Sequence, residues 1–150
     1  MVSLSRRHAA YLVLAAAASL AAPSRSPASE KKIPLAIKGY DPVAYFTDGK
    51  PMPGRPELEY VWDEYRYRFA SPEHRALFKA DPVRYAPQFA NFCALALSNG
   101  EVEEVNPQYW LISDGKLYLF GRPEGPKLFQ RDISGNVFTA EQNRALIGKN

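Results

Sequence analysis

The chain has 150 residues, of which 46% are hydrophobic, 13% aromatic and 23% charged, with 13 prolines, nine glycines and one cysteine. These proportions fit one globular domain and exclude a collagen-like chain, a disulfide scaffold and a fully disordered polymer. The formal charge of +3 invites a nucleic-acid reading, but Arg6, Arg7 and Arg25 lie in an acid-free stretch, 1–28, and the rest of the chain holds equal numbers of bases and acids. A balanced domain of this kind is a poor match for nucleic acid or for an anionic membrane surface.

Residues 1–28 are expected to be an export signal and cleavage region. Charged residues at Arg6 and Arg7 precede an apolar run from Ala9 to Ala22, followed by Pro23 and small residues. Ser5-Arg6-Arg7 before a mild, alanine-rich run resembles a twin-arginine leader, with an ordinary secretory leader as the alternative. At about 1.5 Å per residue, a helix over that run would span roughly 21 Å, short of the ~30 Å hydrocarbon core, so no stable membrane anchor is expected after cleavage. The expected location is periplasmic or secreted. Residues 29–36 read as a polar linker, and 37–147 as one domain.

Within that domain, Val43 to Phe46 reads as a short β-type run closed by Thr47-Asp48-Gly49-Lys50, and Pro51 to Pro56 as a proline-rich loop. Leu58–Trp62 and Tyr65–Phe69 are predicted strands joined at Asp63-Glu64, with Tyr65, Tyr67 and Phe69 on one face and Arg66 and Arg68 on the other. Ser71-Pro72-Glu73 opens a helix, with Ala76, Leu77 and Ala80 as its apolar side and Asp81-Pro82 as its end. Phe92–Leu97 is predicted as a buried strand. Trp110–Ile112 and Leu117–Phe120 flank the hairpin pair Asp114-Gly115, and Lys127–Ile147 is predicted as two short helices broken at Ser134-Gly135. The expected fold class is α+β, a small antiparallel sheet with short helices in a single domain.

Gly39-Tyr40-Asp41-Pro42-Val43-Ala44-Tyr45-Phe46, Gly49-Lys50, Trp62, the run Tyr67 to Ser71, Arg75, Phe78, Pro82, Tyr85 to Gln88 and Cys93-Ala94 together resemble the YHS-domain family. Asp114 to Leu119 adds a match to the later part of exported members, so the resemblance covers about 37–147. It implies attachment to copper-handling and other metal proteins or to multicomponent oxygenases. Metal-associated modules carry two cysteines in segments resembling Asp-Pro-Val-Cys and Tyr-x-Phe-Cys-Ser, where this chain has Ala44 and Ala70. An alanine methyl cannot replace the thiolate that a soft ion such as Cu(I) prefers.

Beyond the leader the chain has one cysteine, one histidine and one methionine, so Cys93, His74 and Met52 are the candidate ligands for a copper or other transition-metal ion. The opposing reading makes His74 a surface residue near a helix start and Cys93 a buried, inert thiol. Tyr40, Asp41, Tyr45 and Tyr67 are candidates for a small-ligand pocket, against core packing for the tyrosines and a plain Asp-Pro turn for Asp41. No phosphate loop, Ser/His/Asp order or helix-spaced histidine pair is present, so no catalytic residue is assigned. The sequence points to a non-catalytic binding or accessory domain in metal or redox homeostasis of the cell envelope, with an envelope protein or small ligand as partner. A protein-interaction module without a small ligand and a thiol redox protein using Cys93 are the alternatives.

Overall fold

The computed structural model describes residues 32–147, so the leader predicted over 1–28 lies outside the described residues. The fold is α+β, and its strands form two separate antiparallel hairpins rather than one sheet. In the first, β1 (Arg55–Trp62) pairs with β2 (Tyr65–Phe69), Trp62 opposite Tyr65 and Tyr60 opposite Tyr67. The period-two pattern acts as expected: Tyr65, Tyr67 and Phe69 are buried, while Arg66 and Arg68 turn outward to Glu59 at 3.5 and 2.8 Å.

The chain enters this hairpin earlier than the linker boundary at residue 36 suggested. Arg66 N donates to Pro34 O at 2.9 Å, and Leu35 bridges to Arg66. A turn at Ala36–Gly39 follows, in which Ile37 and Lys38 take φ of 49° and 52°. Left-handed backbone costs a non-glycine residue about 1–2 kcal/mol. Complete burial of Ile37 and two bonds from Asn91 hold it there: Ile37 N donates to Asn91 Oδ1 at 2.7 Å, and Asn91 Nδ2 donates to Leu35 O at 2.9 Å.

Val43–Phe46 is not a strand. It coils into α1 (Ala44–Thr47), because Val43, Ala44 and Tyr45 are all buried and an extended chain would turn every second one away. After the hairpin, Ser71 Oγ accepts from His74 N at 3.1 Å and starts α2 (Pro72–Ala80), and Asp81 Oδ1 accepts from Arg84 N at 3.2 Å to start α3 (Pro82–Tyr85). The buried side of α2 differs from the one expected. Ala76, Leu77 and Ala80 are exposed, and Phe78 alone is buried. Its ring lies 4.7 Å from that of Tyr67 and 5.2 Å from that of Phe69, with Tyr60 and Trp62 just beyond.

Phe92–Leu97 is likewise helical rather than extended. Cys93 caps α4 (Ala94–Ser98), its Sγ accepting from Ala96 N at 3.5 Å, and the alanines at 94 and 96 favour the helix. In the second hairpin β3 (Asn106–Ser113) pairs with β4 (Lys116–Phe120) around Asp114 and Gly115, whose φ of 49° and 70° suit a two-residue turn. The break expected at Ser134-Gly135 falls earlier. α5 (Gly125–Phe129) runs into a tight turn at Gln130–Asp132, and α6 (Ile133–Ile147) continues through Ser134 and Gly135, with Asp132 Oδ1 accepting from Gly135 N at 3.0 Å.

The second hairpin divides the interior. Leu117 and Leu119 pack with the first hairpin, Ile37, Val43 and Phe78, whereas Tyr118 and Phe120 pack with Cys93, Leu97, Phe129 and Ala140. Burial on both faces explains why β4 reads as an unbroken apolar run. Among the described residues no helix is long and apolar enough to cross a membrane.

Because Phe78 anchors α2 and Leu77 does not, Phe78→Ala is expected to lower the unfolding free energy by about 3–5 kcal/mol. Leu77→Ala should change it by about 0.5 kcal/mol or less, as at an ordinary surface position. Urea unfolding of the two variants measures the contrast.

Candidate functional site

Asp41 is fully buried and is the only charged residue in the buried class among the described residues. An ion taken from water costs several kcal/mol even after relaxation, so its partners decide whether it is tolerated. Because Pro42 has no N–H, the next donor along the chain is Val43 N, which donates to Asp41 Oδ1 at 2.8 Å in an Asx turn. Ala70 N, just past the end of β2, donates to Oδ2 at 2.8 Å, and His74 Nδ1 meets the same oxygen at 2.6 Å. A carboxylate only accepts, so the ring proton belongs on Nδ1. Hydrogen bonds to a charged group contribute about 1.5–3 kcal/mol each, and three together match the scale of the desolvation cost.

The clamp joins four segments. The Asx turn leads into α1, Ala70 and His74 belong to the junction of β2 with α2, and Asp41 N donates to Met52 O at 2.8 Å, which holds the loop before β1. That loop continues with Gly54 N donating to Gly39 O at 2.8 Å. A Cβ at Gly54 would lie 2.5 Å from the Arg68 backbone, so only glycine permits the approach.

His74 is not the solvent-facing residue expected at a helix start, since its side chain is 15% exposed. With Nδ1 committed to Asp41, Nε2 faces Thr47 Oγ1 at 3.2 Å and Asp48 Oδ2 at 3.5 Å, and Thr47 Oγ1 donates to Asp48 Oδ2 at 2.7 Å. Thr47 and Asp48 are exposed, so the network runs from a buried carboxylate to the surface. Neither was singled out from the sequence. The Asp41-Pro42 pair and the Ser71 cap mark the two local turns, but no periodicity links positions 41 and 74.

The other candidates separate. Tyr45 and Tyr67 are core residues, each 1% exposed, and Tyr45 Oη donates to Pro107 O at 2.9 Å. Tyr40 is half-buried, and its hydroxyl accepts from Gln108 Nε2 at 3.4 Å. Met52 reaches the site through its backbone carbonyl. Cys93 is 3% exposed and sits in the second core cluster, whereas His74 belongs to α2, beside the first. Among the described residues, no group of three or more His, Cys, Asp or Glu side chains gathers to hold a metal ion. The amides of Val43 and Ala70 bind one carboxylate, so Ala44 directly follows one clamp donor and Ala70 is itself another. The clustered acids Glu101, Glu103 and Glu104 spread over the surface, where Glu103 pairs with Arg122 at 2.9 Å and Glu104 with Lys38 at 3.6 Å.

No family model, curated protein or solved structure matches the chain.

Burial pushes the phenols of Tyr45 and Tyr67 well above their ordinary value, helped at Tyr45 by Tyr40 and Asp41 and at Tyr67 by Asp63 and Tyr65. A folded-state pKa above the unfolded one gives stability that is complete below the unfolded value, near pH 10, and lost as pH rises above it. Stability should therefore fall above about pH 10, with tyrosinate absorbance from these residues appearing only as the chain unfolds. An alkaline titration followed by absorbance and circular dichroism reads both.

Proposed function

We propose that the protein is an exported, non-catalytic binding or accessory domain of the YHS-like kind, serving metal or redox homeostasis of the cell envelope. Its binding surface is the edge formed by Thr47, Asp48 and His74. The observation that carries this reading is the buried Asp41, which fixes His74 with Nε2 directed to the surface between two oxygen-bearing side chains. The amides of Val43 and Ala70 and the Nδ1 of His74 together satisfy the carboxylate. The histidine adds a second nitrogen that can act on something outside the chain.

The arrangement lacks what acyl transfer needs. Asp41, His74 and Thr47 follow the order of a triad, but the Asp48 carboxylate lies 2.7 Å from the hydroxyl and would oppose an oxyanion forming there. Cys93 is 3% exposed and its sulfur is engaged in capping α4, which leaves little access for a redox partner. The charge-balanced domain and the leader support an envelope protein or small ligand as partner rather than nucleic acid.

Deleting the gene in its source organism should alter growth under excess copper or zinc, or under a thiol oxidant. The exported wild-type chain should restore growth, while a leaderless chain and His74→Ala should not, with His74→Ala first shown to be folded by circular dichroism. Full rescue by both variants would contradict the proposal.

A further inference from the structure

We infer that Thr47 Oγ1, Asp48 Oδ2 and His74 Nε2 form one face of an open site for a divalent first-row transition ion, with water completing the coordination. The inference rests on reading this edge as the binding surface, and it names the ligand. The three donor atoms are 2.7, 3.2 and 3.5 Å from one another. Ligands held about 2.0–2.2 Å from one ion stand roughly 3 Å or slightly more apart, so an ion could be received with shifts of a few tenths of an ångström.

The ring is prepared for this role. A histidine that ligates through Nε2 commonly donates its Nδ1–H to a carboxylate, which fixes the tautomer and strengthens the ligand. Asp41 makes that contact at 2.6 Å and is itself held by two amides. Thr47 also has an alternative for its proton: Val43 O lies 3.2 Å from Oγ1, so the hydroxyl can donate there while Asp48 turns to the ion. The charges point the same way. Asp41 and Asp48 place two carboxylates around one imidazole, and a divalent cation at Nε2 would offset both.

The donor types narrow the ion. One imidazole nitrogen and two oxygens suit Zn²⁺, Ni²⁺ or Cu²⁺, whereas Cu(I) prefers sulfur. With only two strong protein ligands the site is open, unlike a closed structural zinc cage. Cys93 and Met52 have no place in it. An imidazolium shared between the two carboxylates would also balance the charge, and zinc titration separates the two arrangements.

The test is calorimetric titration of the purified chain with Zn²⁺, with the imidazole signals of His74 followed by NMR. One ion per chain is expected, displacing the Nε2 signal. Asp48→Asn, an exposed change that leaves the fold intact, and His74→Ala should each weaken binding at least tenfold. Asp41→Asn should weaken it ten- to a hundredfold by releasing the ring, and Cys93→Ala should leave it unchanged. Absence of heat and of ring shifts in the folded wild type would overturn the ion site, as would binding that survives Asp48→Asn but is lost in Cys93→Ala. The growth experiment judges the broader function separately: failed rescue by His74→Ala without zinc binding would leave the edge as a surface for another ligand.

Discussion

The hydrogen bonds to Asp41 are the constraint on which the rest of the site depends. Its buried carboxylate is tolerable only with strong donors on both oxygens, and those donors come from residues 43, 70 and 74. Satisfying one ion therefore fixes the entry to α1, the exit of β2 and the first turn of α2 relative to one another. Thr47 lies at the end of α1 and Asp48 directly after it, so the same constraint brings both to His74. The surface edge is a consequence of how the interior is held.

The remainder of the fold gives that edge a rigid support. Phe78 locks α2 onto the aromatic face of the first hairpin, and Tyr45, on α1, packs its ring 5.4 Å from Trp110 and bonds Pro107 on β3. The second hairpin then separates this aromatic core from a helical one made by α4, α5 and α6. Cys93 is a structural part of that second core, where its sulfur caps α4, and Arg144 of α6 stacks over Phe92 beside it at 4.5 Å. Cys93 and His74, the one cysteine and one histidine among the described residues, thus serve different halves of the interior.

Much of this was legible in the sequence where a local rule applies. Alternation at Tyr65, Tyr67 and Phe69, the Asp114-Gly115 turn and the Ser71-Pro72 helix start each depend on neighbours within a few residues, and the structure contains all three. The short helices were not legible. α1 and α4 are too brief to display a helical period, and their aromatic and apolar residues carry β-type propensity until burial on several sides decides the matter. The apolar side of α2 was misread for a related reason: one phenylalanine outweighs two alanines and a leucine when the facing surface is an aromatic cluster. Asp41 and His74 were visible singly as a turn residue and a possible ligand, but their pairing across 33 positions is a product of tertiary structure.

The central claim is that Asp41 holds His74 through Nδ1–H and thereby directs Nε2 to the Thr47–Asp48 edge. Long-range proton–nitrogen NMR of the His74 ring at neutral pH tests it most directly. The account requires a slowly exchanging, strongly downfield proton on Nδ1 that disappears in Asp41→Asn. A ring protonated at Nε2 with Nδ1 bare, or one unchanged by Asp41→Asn, would contradict it.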